Sequence, residues 1–140
     1  MAEGVTYTTK SEEETFNLGF QLGKRCTSGS VISLQGPLGA GKTVFAKGVA
    51  SALEIKEAIV SPSFTLVQEY EGTFLLTHID LYRIGGFDDF ESIGGEELLH
   101  NKGVTLIEWS EKIEAYLPSH TLYVNFSLQS DGSREITIKE

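Results

Sequence analysis

Residues Gly36-Pro37-Leu38-Gly39-Ala40-Gly41-Lys42-Thr43 satisfy the pattern G-x-x-x-x-G-K-S/T at every fixed position. Glycines at these spacings let backbone N–H groups turn toward a common point, which makes an anion-binding concavity. A helix that starts just after such a loop adds its own unpaired N–H groups and the positive end of its dipole. The backbone across Gly36, Leu38, Gly39, Ala40 and Gly41 is therefore expected to wrap phosphates. Lys42 carries an ammonium that can reach the β- and γ-phosphates, and the Thr43 hydroxyl is an oxygen ligand suited to Mg²⁺. The chemistry predicted is binding of a nucleoside triphosphate together with its metal ion.

Such a loop works with a second acidic element, a carboxylate at the end of an apolar strand that meets Mg²⁺ directly or through water. Two segments qualify. Val104-Thr105-Leu106-Ile107 ends in Glu108, and Phe74-Leu75-Leu76-Thr77-His78-Ile79 ends in Asp80. Glu108 is expected to be the metal carboxylate. Asp80 is expected near the γ-phosphate, orienting the attacking water or holding Mg²⁺ through one, and the two roles are interchangeable at this stage. His78 lies two residues from Asp80 and shares its strand face, so it either approaches the phosphates or forms a buried hydrogen bond. Arg83 either neutralises transition-state charge, faces a partner or makes a surface ion pair. Trp109, beside Glu108, is either a core residue or an exposed anchor for a partner.

Absent features narrow the class. Guanine readers carry Asn-Lys-x-Asp, whereas here Asn101-Lys102-Gly103 is followed by Val104. Metabolite kinases with this loop bring several arginines over the acceptor, and this chain has only Arg25, Arg83 and Arg134. An ATPase fits better than a GTPase or a small-molecule kinase.

The elements that must position these groups are legible in outline. Ser30 to Leu34 is an apolar run with strand chemistry, and Val44 to Leu53 has apolar residues at helical spacing. Ser11 as N-cap with Glu14 three residues on predicts a helix running to about Arg25. Phe64 to Tyr70 alternates, Glu71-Gly72 is a turn, and Thr73 to Asp80 completes an antiparallel hairpin. A loop with a short helix spans 85–95, and a helical turn over 96–101 is closed by Gly103. Val104 to Glu108 reads as a buried strand, Ser110 to Leu117 as a short helix stopped by Pro118. Thr121 to Leu128 and Glu135 to Ile138 form a second hairpin across Asp131-Gly132. Helices interleaved with strands predict an α/β three-layer sandwich of the P-loop NTPase type, with a mixed central sheet. Ligands of such sheets lie beyond the carboxyl ends of the strands.

The 140 residues, 40% of them hydrophobic, suffice for one domain with one core. With 20 acidic against 11 basic side chains and a net charge of −9, the chain lacks the clustered cations that direct nucleic-acid binding needs. Any nucleic acid is expected on a partner. No stretch is long and apolar enough for a membrane helix, the first residues do not read as a signal peptide, and Cys26 is the single cysteine. A reducing cytoplasm is the expected compartment.

Three further segments follow the phosphate loop: Val60-Ser61-Pro62-Ser63-Phe64-Thr65-Leu66-Val67-Gln68-Glu69-Tyr70, His78-Ile79-Asp80-Leu81-Tyr82-Arg83 and Leu106-Ile107-Glu108-Trp109-Ser110-Glu111-Lys112. Together they resemble the bacterial TsaE (YjeE) family, the small ATPase of tRNA threonylcarbamoyladenosine biosynthesis, from about Thr9 to Glu140. The resemblance implies Mg²⁺-dependent hydrolysis of ATP to ADP and two partner proteins, TsaB and TsaD. TsaD transfers the threonylcarbamoyl group to the adenosine beside the anticodon of ANN-decoding tRNAs, and the ATPase resets the complex between turnovers. Lys42, Thr43, Asp80 and Glu108 fall on the family's P-loop and acidic positions. Ser61 to Thr65 falls on its switch-like loop, where the hydroxyl of Ser63 or Thr65 would sense the γ-phosphate. The helix start from Ser11 to Thr15, and Arg134, fall where the family borders the base. Pro37 and Val44 depart from the usual residues, and neither position supplies a required side chain.

Overall fold

The computed structural model describes residues 4–37, 39–59 and 66–140. In chain order the elements are β1 (Val5–Thr9), α1 (Glu12–Arg25), β2 (Val31–Gln35), α2 (Lys42–Ala52), β3 (Val67–Tyr70), β4 (Leu76–Asp80), α3 (Phe87–Ser92), α4 (Gly95–Leu99), β5 (Val104–Glu108), a 3₁₀ helix (Ser110–Tyr116), β6 (Leu122–Leu128) and β7 (Arg134–Lys139). The strands form a seven-stranded sheet in the order β1-β7-β6-β2-β5-β4-β3. Its centre, β6-β2-β5-β4, is parallel, and each edge is finished by antiparallel pairing, with β7 and β1 on one side and β3 on the other. The mixed sheet expected from two hairpins is present.

Strand periodicity divides the core in two. Ile32 and Leu34 of β2, with Val104 and Leu106 of β5, face α1 and α2, packing on Phe45, Ala46 and Val49. Val31, Ile79 and Ile107 point the other way, onto Phe90, Leu99 and Ile113 of α3, α4 and the 3₁₀ helix. Because successive strand residues alternate faces, an apolar run such as Val104-Thr105-Leu106-Ile107 serves both layers, and all of β5 is buried. The result is the three-layer α/β sandwich expected.

α1 begins as its sequence predicts. The Ser11 hydroxyl accepts from the Glu14 backbone N–H at 3.1 Å, and the Glu14 carboxylate accepts from the Lys10 N–H at 2.8 Å. α1 and α2 then meet nearly backbone to backbone. A Cβ at Gly19 would run into the Phe45 carbonyl, and one at Gly48 into that of Phe16. This close approach fixes the first turn of α1 beside the first turn of α2. At the far end of α1, Cys26 is buried, and burial pushes its thiol above the ordinary range. It is a packing residue rather than a nucleophile.

Four details differ from the sequence expectation. β1 was not anticipated; it pairs with β7 from Val5↔Ile138 to Thr9↔Arg134. β3 starts at Val67, because Leu66 has left-handed backbone (φ 66) that breaks extended geometry; Phe64 and Thr65 lie outside the described residues. β4 starts at Leu76 rather than Thr73, whose N–H instead donates to the Leu53 carbonyl at the end of α2. The segment after Trp109 is 3₁₀, with a kink at Ile113.

Candidate functional site

The glycine loop joins the end of β2 to α2, and its backbone is the reason for its composition. Gly36, Gly39 and Gly41 have φ of 142°, 79° and 100°, a region that disfavours side chains. At Gly36 a Cβ would also sit 2.6 Å from the Phe126 carbonyl oxygen. Gly41 is the N-cap of α2 and no side chain caps that terminus, so the first turn of the helix presents its N–H groups toward the loop. Lys42 is buried to 6% exposure. Its Nζ donates to the Gly36 carbonyl at 2.8 Å, lies 3.8 Å from Glu108 Oε1 and sits 5.0 Å from the Trp109 ring centroid.

Asp80 and Glu108 end adjacent parallel strands and are direct register partners, with Leu34 on the far side of Glu108. Both are buried. Two carboxylates placed opposite each other repel, so the arrangement calls for cations: Lys42 supplies one beside Glu108. Hydrogen bonds also reach both carboxylates. His78 Nε2 lies 2.8 Å from Glu108 Oε2, and the Tyr82 N–H donates to Asp80 Oδ1 at 2.9 Å. The Leu81 N–H also donates to the Glu108 carbonyl, tying the two strand ends together.

These groups line one cleft of about 470 Å³. Gly39, Gly41, Lys42 and Thr43 form its phosphate-loop wall; Asp80, Arg83, Glu108 and Trp109 form the strand-end wall; Arg134 closes it from β7. The Arg134 guanidinium donates to the Gly39 carbonyl at 3.4 Å, which pins the loop. Trp109 holds left-handed backbone (φ 62, ψ 35), a costly conformation for a bulky residue. Its ring lies 5.0 Å from the Tyr82 ring. The Lys112 ammonium donates to the carbonyls of Tyr82 and Ile84, fastening the turn that carries Arg83.

Several expected residues lie elsewhere. Ser11 caps α1. Thr15 is buried and its hydroxyl bonds Thr9 Oγ1 at 2.7 Å; its methyl group lies 3.4 Å from where a Gly41 Cβ would be. Ala40 turns its side chain into the core, which leaves its expected part, the loop backbone, in place. His78 is fully buried and takes the second of its two expected roles, a buried hydrogen bond, which leaves it unable to face a partner. Leu38, Ser61, Ser63 and Thr65 lie outside the described residues. Conversely, Glu12 and Tyr82 line the cleft without having been singled out. Their signals were position alone: Glu12 opens the helix after Ser11, and Tyr82 lies two residues past Asp80.

The cleft fits a nucleotide and its metal. A cradle of left-handed glycines ahead of an uncapped helix suits phosphate. The Thr43 hydroxyl and two carboxylates are hard oxygen donors of the kind Mg²⁺ takes, and among the described residues no three His, Cys, Asp or Glu converge on one point. Mg²⁺ is usually held by one or two carboxylates plus substrate phosphates rather than by a protein cage.

A strand, glycine loop and helix, with carboxylates ending the neighbouring strands, defines a P-loop nucleotide-binding protein. Comparison with known proteins agrees. The family model "Threonylcarbamoyl adenosine biosynthesis protein TsaE" matches residues 9–136. The "tRNA threonylcarbamoyladenosine biosynthesis protein TsaE" of Treponema pallidum (strain Nichols) is 42% identical over 130 residues, covering 93% of this chain and 96% of that protein. The protein of the same description from Bacillus subtilis (strain 168) is 39% identical over 134 residues, covering 95% and 84%. The crystal structure of Bacillus subtilis YdiB superposes with a TM-score of 0.83 at 36% identity, covering 99% of this chain and 86% of that one. The chain belongs to the TsaE family, a P-loop NTPase family of tRNA threonylcarbamoyladenosine biosynthesis. No helix among the described residues is long and apolar enough to cross a membrane.

Proposed function

We propose that this chain, acting as a single domain in the cytoplasm, hydrolyses ATP with Mg²⁺ and thereby drives a switch in the TsaB–TsaD complex. The complex would modify the adenosine beside the anticodon of ANN-decoding tRNAs, with the tRNA held by the partners. The observation that carries the reading is the facing pair Asp80 and Glu108, buried at adjacent strand ends within the same cleft as Lys42 and Thr43. A pure phosphate-binding loop has no use for two opposed carboxylates.

In this reading the loop backbone and Lys42 hold the β- and γ-phosphates, and Lys42 exchanges its bond to the Gly36 carbonyl for the phosphate oxygens. Thr43 and Glu108 hold Mg²⁺, with Asp80 orienting the attacking water or joining the ion through one. Bound Mg²⁺ supplies neutralisation of phosphate charge. Glu12 and Arg134 border the base or ribose. Arg83, Tyr82 and Trp109 form the rim that a partner reads, and in the segment Ser61 to Thr65 the hydroxyl of Ser63 or Thr65 would report the γ-phosphate.

A second reading, an assembly module governed by nucleotide occupancy with incidental hydrolysis, draws on the 56% exposure of Tyr82 beside Trp109: such a rim can respond to occupancy alone. Capture of the chain by immobilised TsaB–TsaD separates the two. With a hydrolysis-driven switch, the ATP complex decays to the ADP level as phosphate appears, while a non-hydrolysable analogue holds its level. Equal and lasting retention by ATP and the analogue, with no phosphate released, would replace the switch by the assembly module.

A further inference from the structure

We propose that His78 is a positioning residue for Glu108: its ring N–H holds one carboxylate oxygen so that the other stays turned toward the cleft without closing on Lys42. This rests on reading Glu108 as a carboxylate of the hydrolytic site. His78 is 0% exposed in the middle of β4. Its register partner on β5 is Leu106, so Glu108 is the diagonal neighbour on the same sheet face. The ring Nε2 lies 2.8 Å from Glu108 Oε2. A carboxylate only accepts, so Nε2 carries the proton in this pair. Nδ1 is buried with no hydrogen-bond partner among the described residues, and a proton there would be stranded. The tautomer is thereby set: Nε2–H donates, Nδ1 is bare.

The consequence concerns the other oxygen. Oε1 stands 3.8 Å from Lys42 Nζ, beyond hydrogen-bond reach, while Nζ donates to the Gly36 carbonyl instead. The terminal torsion of a glutamate is broad, so nothing intrinsic prevents the carboxylate from rotating onto the ammonium. A closed Lys42–Glu108 pair would compete with phosphate for the lysine and with the metal for the carboxylate. His78 anchors the oxygen that would otherwise make that rotation free. Among the described contacts of the Glu108 carboxylate, His78 is the hydrogen-bond donor and Lys42 the nearby cation.

The test compares His78→Leu and His78→Gln, since a glutamine N–H can reach the place of the ring Nε2–H. Loss of an outer-shell partner typically costs 10–100-fold in activity or metal affinity. His78→Leu should lose roughly that factor in kcat, with KM for ATP changed far less and a higher Mg²⁺ midpoint for nucleotide binding by calorimetry. ADP affinity measured without Mg²⁺ should fall only slightly. His78→Gln should recover most of the loss. Histidine-ring NMR of the unmodified chain supplies a readout that no folding defect can obscure: a protected Nε2–H, shifted when Glu108→Gln replaces the anion. Wild-type kcat in His78→Leu, no recovery in His78→Gln when both variants fold, or an Nδ1–H tautomer in the unmodified chain would each overturn the proposal. Full activity of Glu108→Gln would instead overturn the role of Glu108, which distinguishes the two failures.

Discussion

Lys42→Ala is expected to lower ATP turnover by about 10²–10³-fold or more, the range seen when one preorganised donor to developing charge is removed. The side chain is buried, yet it is not part of either apolar cluster: its ammonium touches the Gly36 carbonyl, the Trp109 ring and the vicinity of Glu108. The loop conformation rests on glycine backbone and on Arg134, which donates to the Gly39 carbonyl. The variant should therefore fold, with a circular-dichroism spectrum like that of the parent and a modest loss of thermal stability from leaving Glu108 with less compensation. Nucleotide affinity should fall as well, because the same ammonium serves ground state and transition state. Phosphate release by the purified variant, measured with and without Mg²⁺, checks this; unchanged turnover would remove Lys42 from the site.

The second large effect is at Glu108. Glu108→Gln keeps the shape and an oxygen for the His78 N–H, but removes the anion. Mg²⁺-dependent turnover should fall by roughly 10²-fold or more, as expected for a carboxylate that holds the ion, while ADP affinity without Mg²⁺ stays within a fewfold of the parent. The asymmetry follows from geometry. The β-phosphate is served by loop and helix backbone, whereas Glu108 sits across the cleft beside Asp80 at the strand ends. Stability should change little, since one of two facing carboxylates is neutralised and Lys42 retains its carbonyl acceptor. Calorimetric ADP binding set beside steady-state turnover measures both halves, and equal losses in the two would reassign the metal carboxylate, with Asp80 the alternative.

What could be read from the chain was local. The strand before the loop and the helix after it were legible because an apolar run, a set of glycines and helical spacing follow each other directly. Strand ends at Asp80 and Glu108 were legible for the same reason. Non-local pairing was not. Val5–Thr9 carries strand-forming residues, but four of the five are exposed, so no buried face marks it and its partner β7 lies at the other end of the chain. The Thr9–Thr15 hydroxyl bond at the end of β1 is equally invisible along the sequence. The His78–Glu108 contact depends on the parallel register of β4 and β5, which no spacing along the sequence encodes. Arg134 reaches the loop only because β7 lies two strands from β2. Left-handed backbone at Leu66 and Trp109 carries no residue signature, since neither side chain favours it.

We propose that this site hydrolyses ATP slowly alone and faster in its complex. In the proposed reading Lys42 serves the phosphates, and Arg83 lines the strand-end wall of the cleft. An arginine brought onto the transition state, from the same chain or from another, is worth about 10³–10⁵ in rate. Steady-state phosphate release from Mg²⁺–ATP, by the chain alone and with the TsaB–TsaD pair, tests this most directly, with Arg83→Ala measured alongside. Slow release by the chain alone, a marked rise with the partners, and a smaller rise for Arg83→Ala are expected. Rapid release by the lone chain that the partners leave unchanged would contradict the proposal.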